Sequence, residues 1–540
     1  MTARAFAGRA APPTPRAAAA TLALSAGFAA LCGLHALFGF YFFGQNSFAL
    51  GNDDAFISFR YARNLVEHGV LSFNPGDAPP VEGFSNPLHV ALAAGVIGLL
   101  GAGAVYPAMA ALGTAATLAA ILLTARHLAA RTDARTGWLG ALVLALLPPA
   151  WIHGTSGLET AFVLLAQVAL WLAAARLAQA DRPGRALGAA CLAAVLLVGL
   201  RTDGFVLPVI VAAWLALMAR PRAAATLLSA TAAAFLALMA ARLAYYGLPL
   251  PLTTYAKVSG DLLPRLEAAA RFYGGIVLKG GLAIPLLAVA ALSVMAVRAL
   301  AGGAARLRAA PPLNVWIFGG VTAYYFAIGG DIYRDRFLLI LFAIGTVAAL
   351  ELAHRARPAR APAVVAAAAI AHQLGAGALW DRRLDYIVER PKYDRAVTMG
   401  RYLAQTHPGA LLATSTAGKL PYYSGLETID MLGLNDRHIA MSPPRSATPG
   451  HAKWDVDYVL SRAPDVICSH VFGDGGMTWG LDRDRYAAAG YALAVLVRNR
   501  GAAGPPIVEV RGHTRAEIAA LVRAGYRYGC LAPAGAPPRP

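Results

Sequence analysis

The sequence predicts an α-helical polytopic membrane protein that carries a small extracytoplasmic α/β domain at its C-terminal end. Three observations carry this expectation. The 540-residue chain is 58% hydrophobic and only 14% charged, whereas soluble domains carry about 25% charged residues. Uncharged apolar runs close to span length recur along it. From about Trp380 the composition changes, and Asp, Arg, Tyr and His return among Pro/Gly turns.

The spans come first. Ala17–Phe43, Ala223–Ala241, Gly281–Val297 and Arg336–Leu352 are examples, the last charged only at its ends. The N-terminus imitates a signal peptide, with Arg4, Arg9 and Arg16 ahead of an apolar stretch. That stretch is long and lacks a cleavage site, so it reads as a retained first span. The net charge of +18 sits in short arginine clusters between apolar runs, as membrane topology requires, and no nucleic-acid partner is expected. The clusters include Arg126/Arg131/Arg135, Arg176/Arg182/Arg185, Arg220/Arg222, Arg298/Arg306/Arg308 and Arg355/Arg357/Arg360.

Placing these clusters in the cytoplasm sends Gln45–Asn86, Trp151–Thr160, Arg201–Phe205, Tyr245–Lys279, Gly329–Arg336 and everything beyond about Trp380 to the other side. The result is about eleven spans, an inside N-terminus and an outside C-terminus. Location in the inner (plasma) membrane is expected. Pro87–Gly101 is apolar but short, and reads as a re-entrant or surface-lying helix.

The expected domains are a membrane part over 1–379, whose first extracytoplasmic loop is 44–86, an α/β domain over 380–525, and a Pro/Ala-rich disordered end over 526–540. Within the α/β domain, Tyr393–Gln405 reads as an amphipathic helix, and Leu411–Thr416, Val466–His470 and Ala492–Arg498 as strands. Of four cysteines, Cys32 and Cys191 fall in apolar runs. Cys468 and Cys530 lie in the polar part and can pair if it faces an oxidising compartment.

The polar motifs all fall on the outer side. The first loop reads Gly51-Asn52-Asp53-Asp54-Ala55-Phe56-Ile57-Ser58-Phe59-Arg60-Tyr61-Ala62-Arg63. An acid pair at a helix start can simply cap it and favour its dipole. Capping uses one acid, so the second asks for another role. One carboxylate can act as a general base toward a hydroxyl, and the pair can hold a divalent cation, Mg²⁺ or Mn²⁺. Arg60 and Arg63 share a helix face; arginine suits bidentate phosphate contacts, while the alternative is a solvated face paired with Glu67. Further on, Glu82, Asn86 and His89 can line a sugar cleft. Glu159, Arg201, Asp203, Tyr255, Lys257, Asp331, Arg334 and Arg336 sit at span ends. Snorkelling explains any one alone; together they suggest a polar site under a membrane cavity. Lys257, Arg201, Arg334 and Arg336 supply cations for a lipid phosphate, with Asp203 and Asp331 orienting them.

No nucleotide fingerprint, P-loop, zinc motif or nucleophile elbow stands in a credible context. Energy for chemistry must therefore arrive in the substrate, and a polyprenyl-phosphate sugar suits both the spans and the cations.

These runs resemble membrane glycosyltransferases of the GT-C fold, and more narrowly the terminal β-(1→2) arabinofuranosyltransferase (AftB) family. The matching residues are Asp53-Asp54-Ala55-Phe56-Ile57-Ser58-Phe59-Arg60-Tyr61, Phe73-Asn74-Pro75-Gly76, Glu82-Gly83-Phe84-Ser85-Asn86-Pro87, Gly157-Leu158-Glu159-Thr160, Arg201-Thr202-Asp203-Gly204, Tyr255-Ala256-Lys257, Gly330-Asp331 with Arg336-Phe337, and Asp430-Met431-Leu432-Gly433-Leu434-Asn435-Asp436. The resemblance implies a decaprenyl-phosphate-type pentose donor, a glycan acceptor, and a carboxylate base that maps to Asp53 or Asp54. Displacement in one step would invert the anomeric centre. The competing expectations are a lipid-linked glycan transporter and a non-catalytic envelope assembly protein. Transport would need ionisable groups at the bilayer midplane or inverted repeats, and the charges cluster at span ends instead.

Overall fold

The computed structural model describes residues 52–179, 183–257, 262–301, 312–331, 335–381, 394–446, 451–499 and 503–535. The expected first span Ala17–Phe43, with Cys32, lies outside them, as does Arg334. The chain forms two compact units: one from 107–239 and 262–381, the other from 52–106, 240–257 and 394–535.

The first unit is all helix. Over the whole described chain, four helices are long and apolar enough to cross a membrane: Ala102–Arg131, Thr160–Leu177, Pro221–Tyr246 and Arg336–Ala356. The count is up to six if each bent pair is one span, Ala134–Ala145 with Pro148–Gly154 (68°) and Leu262–Lys279 with Ala283–Arg298 (102°). Gly184–Leu200, Val206–Leu217 and Ala361–Gly375 are shorter apolar helices. This is a multi-pass membrane architecture. The Leu339–Ala356 helix is free of charge as far as Leu350 and buried on nearly every face, as suits a central helix. It packs against Ala283–Ala301, Ala361–Asp381 and Leu313–Ala327.

The second unit is built on a six-stranded sheet. Its strands are β1 (Leu411–Thr414), β2 (Glu427–Asp430), β3 (Val466–His470), β4 (Tyr491–Val497), β5 (Ile507–Glu509) and β6 (Tyr528–Pro533), in the order β2-β1-β3-β6-β4-β5. β1 pairs in parallel with β2 and β3, and β6 runs antiparallel to both β3 and β4. The expected strands near 411, 466 and 492 are present, and the expected amphipathic helix is Arg395–Thr406, capped by Asp394. The stretch 526–540 was expected to be disordered. Instead Tyr528–Pro533 lies in the middle of the sheet, with Tyr528, Cys530 and Leu531 buried. The Pro/Ala bias that suggested disorder belongs to the residues after this strand. Cys468 and Cys530 face each other across β3 and β6 and form a disulfide.

The described part of the expected first loop, 52–86, belongs to this second unit rather than to the helical one. Buried polar bonds explain why. Arg60 donates to the backbone oxygens of Phe73, Pro421 and Leu426 (2.7 Å each) and to Asn74 Oδ1 (2.9 Å). Asn74 in turn exchanges bonds with the backbone of Thr428, accepting at 2.9 Å and donating at 3.0 Å. Tyr61 donates to Asn435 and accepts from the Gly83 N–H. A Cβ on Gly83 would stand 1.7 Å from Asn435 Oδ1, so only glycine fits this approach. The Pro87–Leu100 helix has 14 residues. At 1.5 Å per residue it reaches about 21 Å, too short to cross a hydrocarbon core of about 30 Å alone.

Candidate functional site

Two polar clusters stand out, one in each unit. The first surrounds Asp53. The Asp53–His68 helix is capped by Asn52, whose side chain accepts from the Asp54 N–H at 2.9 Å. Neither acid is therefore the cap of its own helix. Asp53 reaches instead to the start of the Lys419–Ser424 helix, where its Oδ2 accepts from the Gly418 N–H (3.1 Å) and its Oδ1 from the Lys419 N–H (2.9 Å). A Cβ on Gly418 would lie 1.8 Å from the Asp53 backbone oxygen. Glycine at 418 is what permits the contact. The buried Lys419 ammonium binds Asp394 at 2.6 Å and lies 5.8 Å from the Phe56 ring centre.

Burial pushes the Asp53 carboxyl up to about 6. The Lys419 N–H and ammonium oppose that rise, while Asp54 and Asp394 add to it. A carboxylate titrating there accepts a proton more readily than an ordinary aspartate and is still ionised near neutral pH. Among the described residues no group of three or more His, Cys, Asp or Glu is placed to hold a metal. Asp53 has both oxygens on backbone N–H groups, beside an ammonium. This donor set does not fit a resident Mg²⁺ or Mn²⁺, which needs about six oxygens.

Other residues singled out in this loop have structural work. Arg60 is buried and engaged with four acceptors, which corrects its expected role in phosphate binding. Arg63 pairs with Glu67 at 2.8 Å and donates to the Tyr422 carbonyl at 3.3 Å, the alternative the sequence left open. Glu82 is buried against Arg242 at 2.9 Å. Asn86 accepts from Ser58 at 3.0 Å, and His89 is fully buried, stacked on Phe59. These three are interior residues and do not line an open cleft, because the loop folds inward onto the sheet unit. Tyr255 and Lys257 lie on the Leu252–Lys257 helix of the same unit.

The second cluster brings together Glu159, Arg201, Asp203, Asp331 and Arg336. Arg201 binds Glu159 at 2.7 Å and Asp203 at 2.8 Å. Tyr324 donates to Asp203 at 2.6 Å. Arg336 binds Asp331 at 2.8 Å. Burial would raise the Asp203 carboxyl, but Arg201 and Tyr324 hold it below its usual range. The two guanidinium groups lie against one ring, 4.3 and 5.2 Å from the centre of Phe337. Arg201, Arg336, Asp203 and Tyr324 open onto a small cavity otherwise lined largely by Val163, Leu197, Val206, Leu207, Val321 and Phe337. A second buried pair, His153 with Asp335 at 2.7 Å, belongs to the same unit.

Sequence reasoning missed Lys419, Asp394, Tyr324 and Arg242. Asp394 carried a signal, since an Asp just ahead of an amphipathic helix is a capping candidate. Tyr324 and Arg242 lie inside apolar helices and carried none.

Comparison with known proteins fits this architecture. A protein-family model described as "Domain of unknown function (DUF8728)" matches residues 382–517. No protein of curated function matches the sequence. Among solved structures, ArnT from Cupriavidus metallidurans in the apo state is similar over 97% of this chain and 100% of that one, at 13% identity and a TM-score of 0.56. The same protein bound to undecaprenyl phosphate is similar over 94% and 97%, at 13% identity and a TM-score of 0.53. An oligosaccharyltransferase from Archaeoglobus fulgidus in its apo form is similar over 91% and 75%, at 13% identity and a TM-score of 0.50. The chain therefore has the GT-C fold. It is a multi-pass membrane protein of that fold with a C-terminal α/β sheet unit.

Proposed function

We propose that this chain is a glycosyltransferase that moves a sugar from a polyprenyl-phosphate donor to an envelope glycan acceptor at the outer face of the inner (plasma) membrane. The observation that carries it is Asp53: a half-buried carboxylate in the first extracytoplasmic loop, fixed by two backbone N–H groups and pushed up to about 6. Such a group is suited to take a proton from an acceptor hydroxyl. The fold supports the reading, as does the solved neighbour ArnT, bound to undecaprenyl phosphate.

The acceptor oxygen attacks the anomeric carbon, its proton passes to Asp53, and the bond from that carbon to the phosphate oxygen breaks with its electron pair leaving on the lipid phosphate. In the helical unit, Arg201 and Arg336 supply the kind of cation that holds a lipid phosphate. The apolar walls of their cavity suit the lipid. A single displacement inverts the anomeric centre. Asp54 raises the affinity of Asp53 for a proton through its own charge. The sugar is a pentose, arabinofuranose by the sequence resemblance.

The test uses purified protein with a radiolabelled polyprenyl-phosphate pentose and a glycan acceptor. Asp53→Asn is expected to abolish transfer and Asp54→Asn to reduce it. Full transfer by both variants would overturn the mechanism. Linkage analysis of envelope glycans from a deletion strain identifies the bond formed, and unchanged glycans there would sink the assignment.

A further inference from the structure

The three parallel strands β1, β2 and β3 end at one edge of the sheet, the edge at which open α/β sheets take ligands. The segment after β1 leads to Gly418 and Lys419, which hold Asp53. The segment after β3 is a glycine-rich loop, folded back through bridges Val471 to Met477 and Met477 to Leu481. A row of hydroxyls joins the two: Ser415 Oγ to Ser469 Oγ at 2.9 Å, then Ser469 Oγ to Thr478 Oγ1 at 2.6 Å.

Beside Thr478 stands Trp479, with φ 67°. A bulky side chain in the left-handed region is an outlier, and such strain gathers at ligand clamps. The Trp479 ring stacks on His451, with centres 5.6 Å apart and planes at 16°, and meets Trp454 at 5.5 Å and 59°. All three rings are half-buried. Two polar pairs stand nearby, Arg485 with Asp457 at 2.5 Å and His438 with Asp455 at 3.0 Å. The surface thus offers ring faces and hydroxyls.

We propose that Trp479, with Trp454 and His451, is a stacking platform for a sugar residue of a neutral acceptor glycan, and that Ser415 and Thr478 hydrogen-bond its hydroxyls. The C–H face of a sugar carries partial positive charge and meets the negative face of an aromatic ring. Each protein hydroxyl offers one donor and two acceptor positions, enough to serve Ser469 and a ligand together. This inference rests on the glycosyltransfer proposed above. It adds an acceptor subsite separate from the reacting sugar.

The test titrates the full chain in detergent with neutral oligosaccharides, an arabinofuranose hexamer, cellohexaose and maltohexaose, by calorimetry and tryptophan fluorescence. At least one is expected to bind saturably. Trp479→Gly removes the ring and suits the left-handed backbone, so it keeps the fold while weakening binding ~10-fold or more. Trp454→Leu is expected to weaken it as well. Asp53→Asn keeps the binding and loses transfer, which separates this subsite from the catalytic proposal. Binding by none of the three sugars, or unchanged affinity in both tryptophan variants, overturns the platform even where transfer persists.

Discussion

At neutral pH the Asp53 carboxylate carries its charge in a place where burial opposes it, and replacing it with Asn measures that opposition. Its pKa rises from 3.8 to about 6. A rise of that size corresponds to ~3 kcal/mol; Asp53 is only half-buried, so solvent screening reduces this to ~1–2 kcal/mol. The sign follows from proton binding. Between 3.8 and about 6 the folded protein holds this proton more tightly than the unfolded chain does. Stability therefore falls as pH rises through that window, and the penalty is complete above it. Asp53→Asn removes the titration. It also sets an amide donor near the Gly418 N–H, a penalty that does not vary with pH. The stability difference, variant minus wild type, is expected to be ~1 kcal/mol more favourable at pH 7.5 than at pH 4.5, read from thermal and denaturant unfolding in detergent. Turnover by the wild type should rise with pH through about 6, and the variant should lose at least ~10²-fold. A stability difference that is flat with pH, or that grows toward low pH, refutes the picture of a desolvated base and leaves Asp53 as a structural cap.

Arg60→Lys replaces a planar fork that meets four acceptors with one ammonium; unfolding should show a loss of ~3 kcal/mol or more, with the donor KM of the folded fraction unchanged. Arg336→Lys keeps the charge but loses the fork held by Asp331, so steady-state kinetics should show a donor KM raised ~10-fold with a smaller change in kcat. Exchange of both Cys468 and Cys530 for Ser should lower the stability of the sheet unit by ~2–4 kcal/mol. In the parent protein, mass shift on alkylation should report these two thiols only after reduction.

The membrane class was legible because it depends on composition and run length, which survive any detail of packing. Ala223–Ala241 and Gly281–Val297 each coincide with a helix, Pro221–Tyr246 and Ala283–Ala301. The Glu159, Arg201, Asp203, Asp331 and Arg336 cluster was legible as charges returning to span ends. Their pairing was not, since it depends on which helices become neighbours. The first loop misled for a physical reason: sequence shows polar residues but not whether their partners are solvent or backbone. Arg60 looks like a phosphate ligand until the carbonyls of Pro421 and Leu426, more than 360 positions away, are seen to take its protons. The acid pair was seen, yet the Gly418 and Lys419 N–H groups that hold Asp53 come from a distant turn with no motif of its own.

The position of β6 has a practical consequence for handling the protein. Chain order and spatial order disagree here: β6, the sixth strand of this sheet in chain order, is an inner one, between β3 and β4. The sheet cannot close until residues through Pro533 have left the ribosome, and until then β3 and β4 each expose an unpaired edge. A tag placed after 535 leaves this strand alone. A stop codon ahead of Tyr528 would remove an interior strand rather than trim an end, and would leave an adhesive, half-built sheet.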